Sequence, residues 1–191
     1  MRTLLMIPLL FLLGISAATA YPEFQRYSKA ASGRTVNCAM CHTHSDGPDG
    51  LKPGQIGSLD PEALNDLGLA RQAFEPGFAG KSPILNEFGN GVLKAVGKNK
   101  LTELKQKPEL LADALDKTSD LDGDGITDRD EFKDGTHPLN SLDGHPRKLF
   151  MNNVRKNAFH IFMLFLATGF GLFGLSNLLH WLAVKTDREG R

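Results

Sequence analysis

The chain has 191 residues, 41% hydrophobic and 23% charged, with 22 Lys+Arg against 22 Asp+Glu and only two cysteines. That length allows one modest domain with an appended segment. A zero net charge argues against a nucleic-acid binder, and two cysteines are too few for a disulfide-stapled scaffold. The neutrality is an average over unequal parts, because residues 101–143 carry a net −7 and residues 144–191 a net +5.

Residues 1–20 read as a secretory signal peptide. Arg2 is the positive start, residues 4–15 form the apolar run, and Ala18-Thr19-Ala20 offers small residues for cleavage before Tyr21. The mature chain is therefore expected to begin at Tyr21, outside the cytoplasm.

Both cysteines fall in Cys38-Ala39-Met40-Cys41-His42, the CxxCH pattern of c-type haem attachment. Two thiols three residues apart can each add to one vinyl group of the same porphyrin, and the following histidine is placed to ligate the iron. Cys38 and Cys41 are thus the expected covalent anchors of one haem c, and His42 its iron ligand. A thioredoxin-like CxxC needs a βαβ context that is not evident here. Four zinc ligands from Cys38, Cys41, His42 and His44 would be compressed into seven residues. The second axial ligand stays open among His137, His145, Met151 and none.

Further along, residues 43–60 are rich in Gly, Pro, Asp and Ser and read as a loop. A helix is predicted over residues 61–73, with Asp60 as cap and Pro61 first. A weaker one is predicted over 83–96, interrupted by glycines, and a third over 108–116. No stretch shows sustained β alternation. The fold class expected is mainly α: a small, loop-rich helical haem domain over residues 21–118, plus one C-terminal membrane helix.

The acidic block has a specific order. Asp120, Asp122, Asp124, Gly125, Asp128 and Glu131 match D-x-D-x-D-G-x5-E. Hard Ca²⁺ takes six to eight oxygens, and the glycine turn gathers the first carboxylates around one point. The expected ligands of one structural calcium ion are Asp120, Asp122, Asp124, the Ile126 carbonyl, Asp128 and Glu131. Gly and Pro in the following GTHPLNSLDGHP argue against a long exiting helix, so the region 119–137 departs from a full EF-hand.

Two resemblances follow from these motifs. The stretch YPEFQRYSKAASGRTVNCAMCHTHSDGPDG, followed at a distance by Leu85-Asn86-Glu87-Phe88-Gly89, resembles a group of extracytoplasmic monohaem c-type cytochromes. In that group an aromatic segment leads into CxxCHT, a Pro/Gly-rich turn and an LNxFG element. Here residues 43–84 between the two parts are longer than in that pattern. The acidic loop resembles the single DxDGDGxxD loops of thrombospondin type 3 repeats, which often close that group.

Residues 138–157 read as a basic polar connector. Then come 19 uncharged residues from Ile161 to Leu179, about 28 Å of helix and close to a bilayer's hydrocarbon thickness. A transmembrane helix is expected over 158–184, with residues 185–191 as a short cytoplasmic tail. Basic residues flank the span on both sides, so the signal peptide sets the expected orientation. Ala167, Gly171 and Gly174 share a helix face where a partner subunit could approach. His160 and His180 are interfacial residues or ligands to a haem in another subunit. The expected protein is a single-pass, membrane-anchored monohaem cytochrome of the extracytoplasmic (periplasmic) face. It would carry electrons to redox partners, as a partner or subunit of a membrane redox complex. The alternatives are a peroxidase-type haem enzyme with an open iron site and a haem- or calcium-dependent sensor or assembly subunit.

Overall fold

The computed structural model describes residues 22–191; the expected signal peptide lies outside them. Seven α-helices follow in order: α1 (Pro22–Ser32), α2 (Pro61–Ala73), α3 (Glu87–Leu104), α4 (Leu111–Ala114), α5 (Asp128–Asp134), α6 (Pro146–Lys156) and α7 (Ala158–Glu189). Single 3₁₀ turns cover Cys38–Met40 and Pro108–Leu110. No strand occurs among the described residues, where the one β-type pairing sets His42 opposite Leu85. The chain is mainly α, as its periodicity implied.

Local chemistry sets the helix starts. Asp60 accepts a hydrogen bond from the Ala63 amide at 2.8 Å and Pro61 opens α2, so this helix matches its expected bounds. The second helix begins later than its composition suggested. Asn86 caps it, accepting from the Gly89 amide at 2.8 Å, and residues 82–85 form a turn ahead of it, closed by the Leu85 amide on the Ser82 carbonyl at 3.2 Å. It then runs on to Leu104 through a bend at Gly97, whose φ of 68° only glycine adopts readily. The third predicted helix divides into the Pro108–Leu110 turn and α4.

Helices α1 and α6 were not anticipated. Both are amphipathic; α1 buries its apolar side through contacts distant in sequence, whereas α6 buries no residue fully. In α1, Phe24 and Ser28 are buried, and the Ser28 hydroxyl donates to the Phe132 carbonyl at 2.7 Å. Tyr27 stacks on Phe132 with ring centroids 5.8 Å apart.

The core joins α1, α3, α4 and α5 around Phe24, Met40, Phe88, Leu93, Leu111 and Phe132. Leu111 and Phe132 are each 1% exposed. Full burial of one such side chain stabilises the fold by about 1.5–3 kcal/mol.

Helix α7 is different. Its 32 residues average a hydropathy of 1.9 over the most apolar window, none of it buried. At about 1.5 Å per residue it is roughly 48 Å long, enough to cross a bilayer with turns to spare. It therefore outlasts the expected span: residues 185–189 stay helical, with Lys185 3.8 Å from Glu189 and Asp187 3.1 Å from Arg191.

A candidate haem-attachment site and a candidate calcium site

The 3₁₀ turn over Cys38–Met40 is capped by Asn37, whose side chain accepts from the Ala39 amide at 3.0 Å. The Cys41 and His42 amides both donate to the Cys38 carbonyl, at 3.1 and 2.8 Å. This winding sets Cys38, Cys41 and His42 on one wall of a single cavity of about 210 Å³. The remaining walls are apolar, built from Phe24, Val36, Phe74, Leu93, Leu111 and Phe132 among others.

The LNxFG element is the scaffold of that turn. The Asn86 side-chain amide donates to the carbonyls of Ala39 at 2.6 Å and Met40 at 3.1 Å, while the Asn86 backbone amide donates to Cys41 at 3.1 Å. A Cβ at Gly89 would collide with the Cys41 carbonyl oxygen, so only glycine lets α3 approach this closely. Phe88 is buried in the core. Asn86 and Gly89 are therefore site residues whose roles the bare CxxCH motif did not reveal; the LNxFG pattern was the signal that could have found them.

The imidazole of His42 has a defined tautomer. Its Nδ1 lies 3.1 Å from the Ile84 carbonyl, an oxygen that can only accept, so Nδ1 carries the proton and Nε2 is the free lone pair. Burial lowers the His42 pKa, against an opposing pull from the Ile84 bond and Asp49. A neutral ring with its second nitrogen held by a carbonyl is the form in which histidine ligates a metal.

The thiols point away from redox-exchange chemistry. Burial, and then the neighbouring Cys38 sulfur, push the Cys41 pKa up to about 12, and burial with Asp46 raises that of Cys38. A nucleophilic CxxC has a depressed pKa; these are protonated thiols in an apolar wall, unpaired with each other. Nor do they assemble a zinc site. Among the described residues, the one group of three His, Cys, Asp or Glu donor atoms gathered within 4.8 Å is Asp120, Asp122 and Asp124. His44 instead accepts from the Asp46 amide at 3.1 Å.

Two thiols and one neutral imidazole on an apolar wall suit a covalently held haem. The cavity is smaller than the roughly 300–1,000 Å³ of ordinary cofactor sites. Phe74, Val92 and Leu93 also wall a larger open groove of about 780 Å³ beside α3. None of the three expected second ligands, His137, His145 and Met151, lines the cavity. His137 accepts from the Leu139 amide at 3.2 Å, and Met151 is exposed on α6.

The acidic loop closes through its own carboxylates. Asp120 accepts from the amides of Gly123 and Gly125, each at 2.9 Å, Asp122 from Asp124 at 3.1 Å, and Asp124 from Ile126 at 2.6 Å. Gly125, at φ 90°, makes the turn. Three carboxylate oxygens are then buried without any hydrogen-bond partner: Asp122 Oδ2, Asp124 Oδ2 and Glu131 Oε2. Glu131 is fully buried, and its other oxygen accepts from the Thr136 hydroxyl at 3.3 Å. Burial first, then Asp122 and Asp124, push the Glu131 pKa up to about 8; burial likewise raises those of Asp122 and Asp124. Unpartnered buried oxygens are rare and costly, and a cation among them would relieve the cost. The donor set fits calcium. Asp128 takes a different part: it accepts from the Leu121 amide at 2.9 Å and from the Ser119 hydroxyl, so both its oxygens tie the loop's two ends.

The two sites meet at α5. Glu131 faces the acidic loop, and the next residue, Phe132, lines the cavity of Cys38, Cys41 and His42. The chain matches no family model, no curated protein and no solved structure.

Proposed function

We propose that this chain is a membrane-anchored monohaem c-type cytochrome that carries electrons beside the membrane, on the extracytoplasmic side given the signal-like residues 1–20. The observation that carries the reading is the convergence of Cys38, Cys41 and a neutral, carbonyl-anchored His42 on one apolar cavity. Cys38 and Cys41 would form the two thioethers, and His42 Nε2 would ligate the iron. Bound there, haem supplies a one-electron redox couple whose potential depends on its axial ligands and burial. The residues' own contributions are separable. Asn86 and Gly89 hold the attachment turn against α3, Ile84 fixes the imidazole, and the aromatic walls exclude water. Calcium held by Asp120, Asp122, Asp124, the Ile126 carbonyl and Glu131 would act structurally, and α7 would keep the site near redox partners in the bilayer.

The test is production of the full chain in a host with haem-attachment machinery, followed by denaturing electrophoresis with haem staining. Haem should stay with the polypeptide, and Cys38→Ala/Cys41→Ala should lose it completely. Wild-type protein that releases all its haem on denaturation refutes the reading.

One observation favours a second reading, an open iron site of the peroxidase type: His137, His145 and Met151 all lie outside the cavity. Carbon monoxide added to the reduced protein separates the two. An unchanged spectrum supports the electron carrier with both axial positions filled, whereas a shifted Soret band supports the open iron.

A further inference from the structure

Helix α6 has two unlike faces, and only one is accounted for by the domain. Its inner face, Lys148, Leu149 and Asn152, docks on the acidic loop. Lys148 pairs with Asp134 at 2.6 Å, and any Cβ at Gly144 would collide with Leu149. Asn152 lies against the Gly125 turn. The opposite face, at i, i+3, i+4 and i+7 spacing, presents Arg147, Phe150, Met151 and Val154. Phe150 is 65% and Met151 42% exposed. Arg147, together with Arg155 and Lys156 at the helix end, forms no ion pair among the described residues.

What covers this face is indicated by its neighbour. A single residue, Asn157, separates α6 from the apolar helix α7, and its φ of −104° and ψ of 11° break the helical path between them. With α7 crossing a bilayer, α6 is held at the bilayer surface by one residue of tether. Apolar side chains flanked by unpaired cations are what an anionic lipid interface accepts. We propose that α6 lies in the membrane interface, with Phe150 and Met151 among the acyl chains and Arg147 and Arg155 on anionic headgroups. It would thereby fix the height and tilt of the domain over the membrane. The inference rests on α7 crossing the bilayer.

The experiment uses the full chain in vesicles of phosphatidylcholine with or without phosphatidylglycerol, comparing acyl-brominated with ordinary phosphatidylcholine. Trp181 is the chain's one tryptophan, so native emission reports on α7, and Phe150→Trp/Trp181→Phe moves the probe to α6. Bound haem would dim both lipid series equally and leave their ratio intact. Brominated lipid should lower the emission of the α6 probe by about two-fold and acrylamide should reach it poorly. The quenching should be stronger with phosphatidylglycerol, and that dependence should vanish when Arg147→Glu/Arg155→Glu is added. If Trp181 is quenched while the α6 probe is untouched by brominated lipid, the proposal is overturned. Access to acrylamide would then place the face in water, and protection from it would place the face against protein. If Trp181 itself escapes quenching, the membrane reading of α7 fails, and this inference with it. A phosphatidylglycerol effect that survives the charge reversal overturns the headgroup contacts.

Discussion

Asn86 ties the Cys38–Met40 turn to the start of α3 with one side chain. Its Oδ1 caps α3 through Gly89, and its Nδ2 holds the Ala39 and Met40 carbonyls of the attachment turn. Replacing it by alanine loses the cap and leaves carbonyls without a donor. Asn86→Ala should lower stability by about 1–3 kcal/mol in urea unfolding and reduce haem retained per polypeptide. Asn86→Asp, which keeps the cap but cannot donate, should recover part of the stability and little of the haem. Gly89→Ala should cost more than Asn86→Ala, because its Cβ meets rigid backbone at Cys41 rather than a movable side chain. Equal stability of Gly89→Ala and wild type would contradict the close approach of α3. At this scale Cys38, Cys41 and His42 were legible in the sequence as one closely spaced trio, and the fold sets all three around one cavity. The Asn86 and Gly89 roles became physical only once residues more than 40 positions apart were in contact.

The acidic loop and α5 act as one element, and their behaviour with pH follows from Glu131. Its pKa in the folded, metal-free chain is raised to about 8, well above its ordinary value of 4.5. The folded state therefore binds a proton that the unfolded state has released, and stability falls as pH rises through that window. In chelator, the melting temperature should decrease from pH 5 to pH 8. Calcium needs the carboxylates ionised, so the gain in melting temperature on adding calcium should grow over the same range. Glu131→Gln should flatten the fall in chelator and remove most of the gain with calcium. A calcium effect equal at pH 5 and pH 8 would count against Glu131 as a ligand. Phe132, one residue on, should be intolerant: Phe132→Ala opens a cavity in the core at about 3–5 kcal/mol, read by urea unfolding. The order of the loop's carboxylates was visible in the sequence. The use of both Asp128 oxygens to close the loop was not, because that depends on the Ser119 and Leu121 positions in the folded turn.

Across the whole molecule, the acidic loop is the joint between the helical domain and the membrane segment. Lys148 and Asn152 of α6 meet Asp134 and Gly125, and Arg34 near the end of α1 pairs with Asp143 ahead of α6. If the loop holds calcium as proposed, its removal should therefore loosen α6 before it loosens the core. Hydrogen exchange in chelator should speed up over residues 144–156 while amides of α3 stay protected. Uniform acceleration over both segments would show one cooperative unit and refute the joint. The net −7 of residues 101–143 and the +5 of the following segment meet here, among the described residues, through Lys148 alone, which reaches Asp130 and Asp134, so the chain's overall neutrality says little about its surface.

By itself the sequence determined the mainly helical class, the CxxCH spacing, the order of the acidic residues, the capped start of α2 and the apolar length of α7. Each is local: it depends on covalent spacing, on capping within four residues or on an unbroken hydrophobic run. Only the tertiary structure decided that α1 and α6 are helices with one docked face each. It alone kept His137, His145 and Met151 off the cavity wall, left three carboxylate oxygens buried without partners, and seated Phe132 between the two sites. Those outcomes depend on which surfaces meet across distant parts of the chain, and burial at such contacts is set by the assembled core rather than by neighbouring residues.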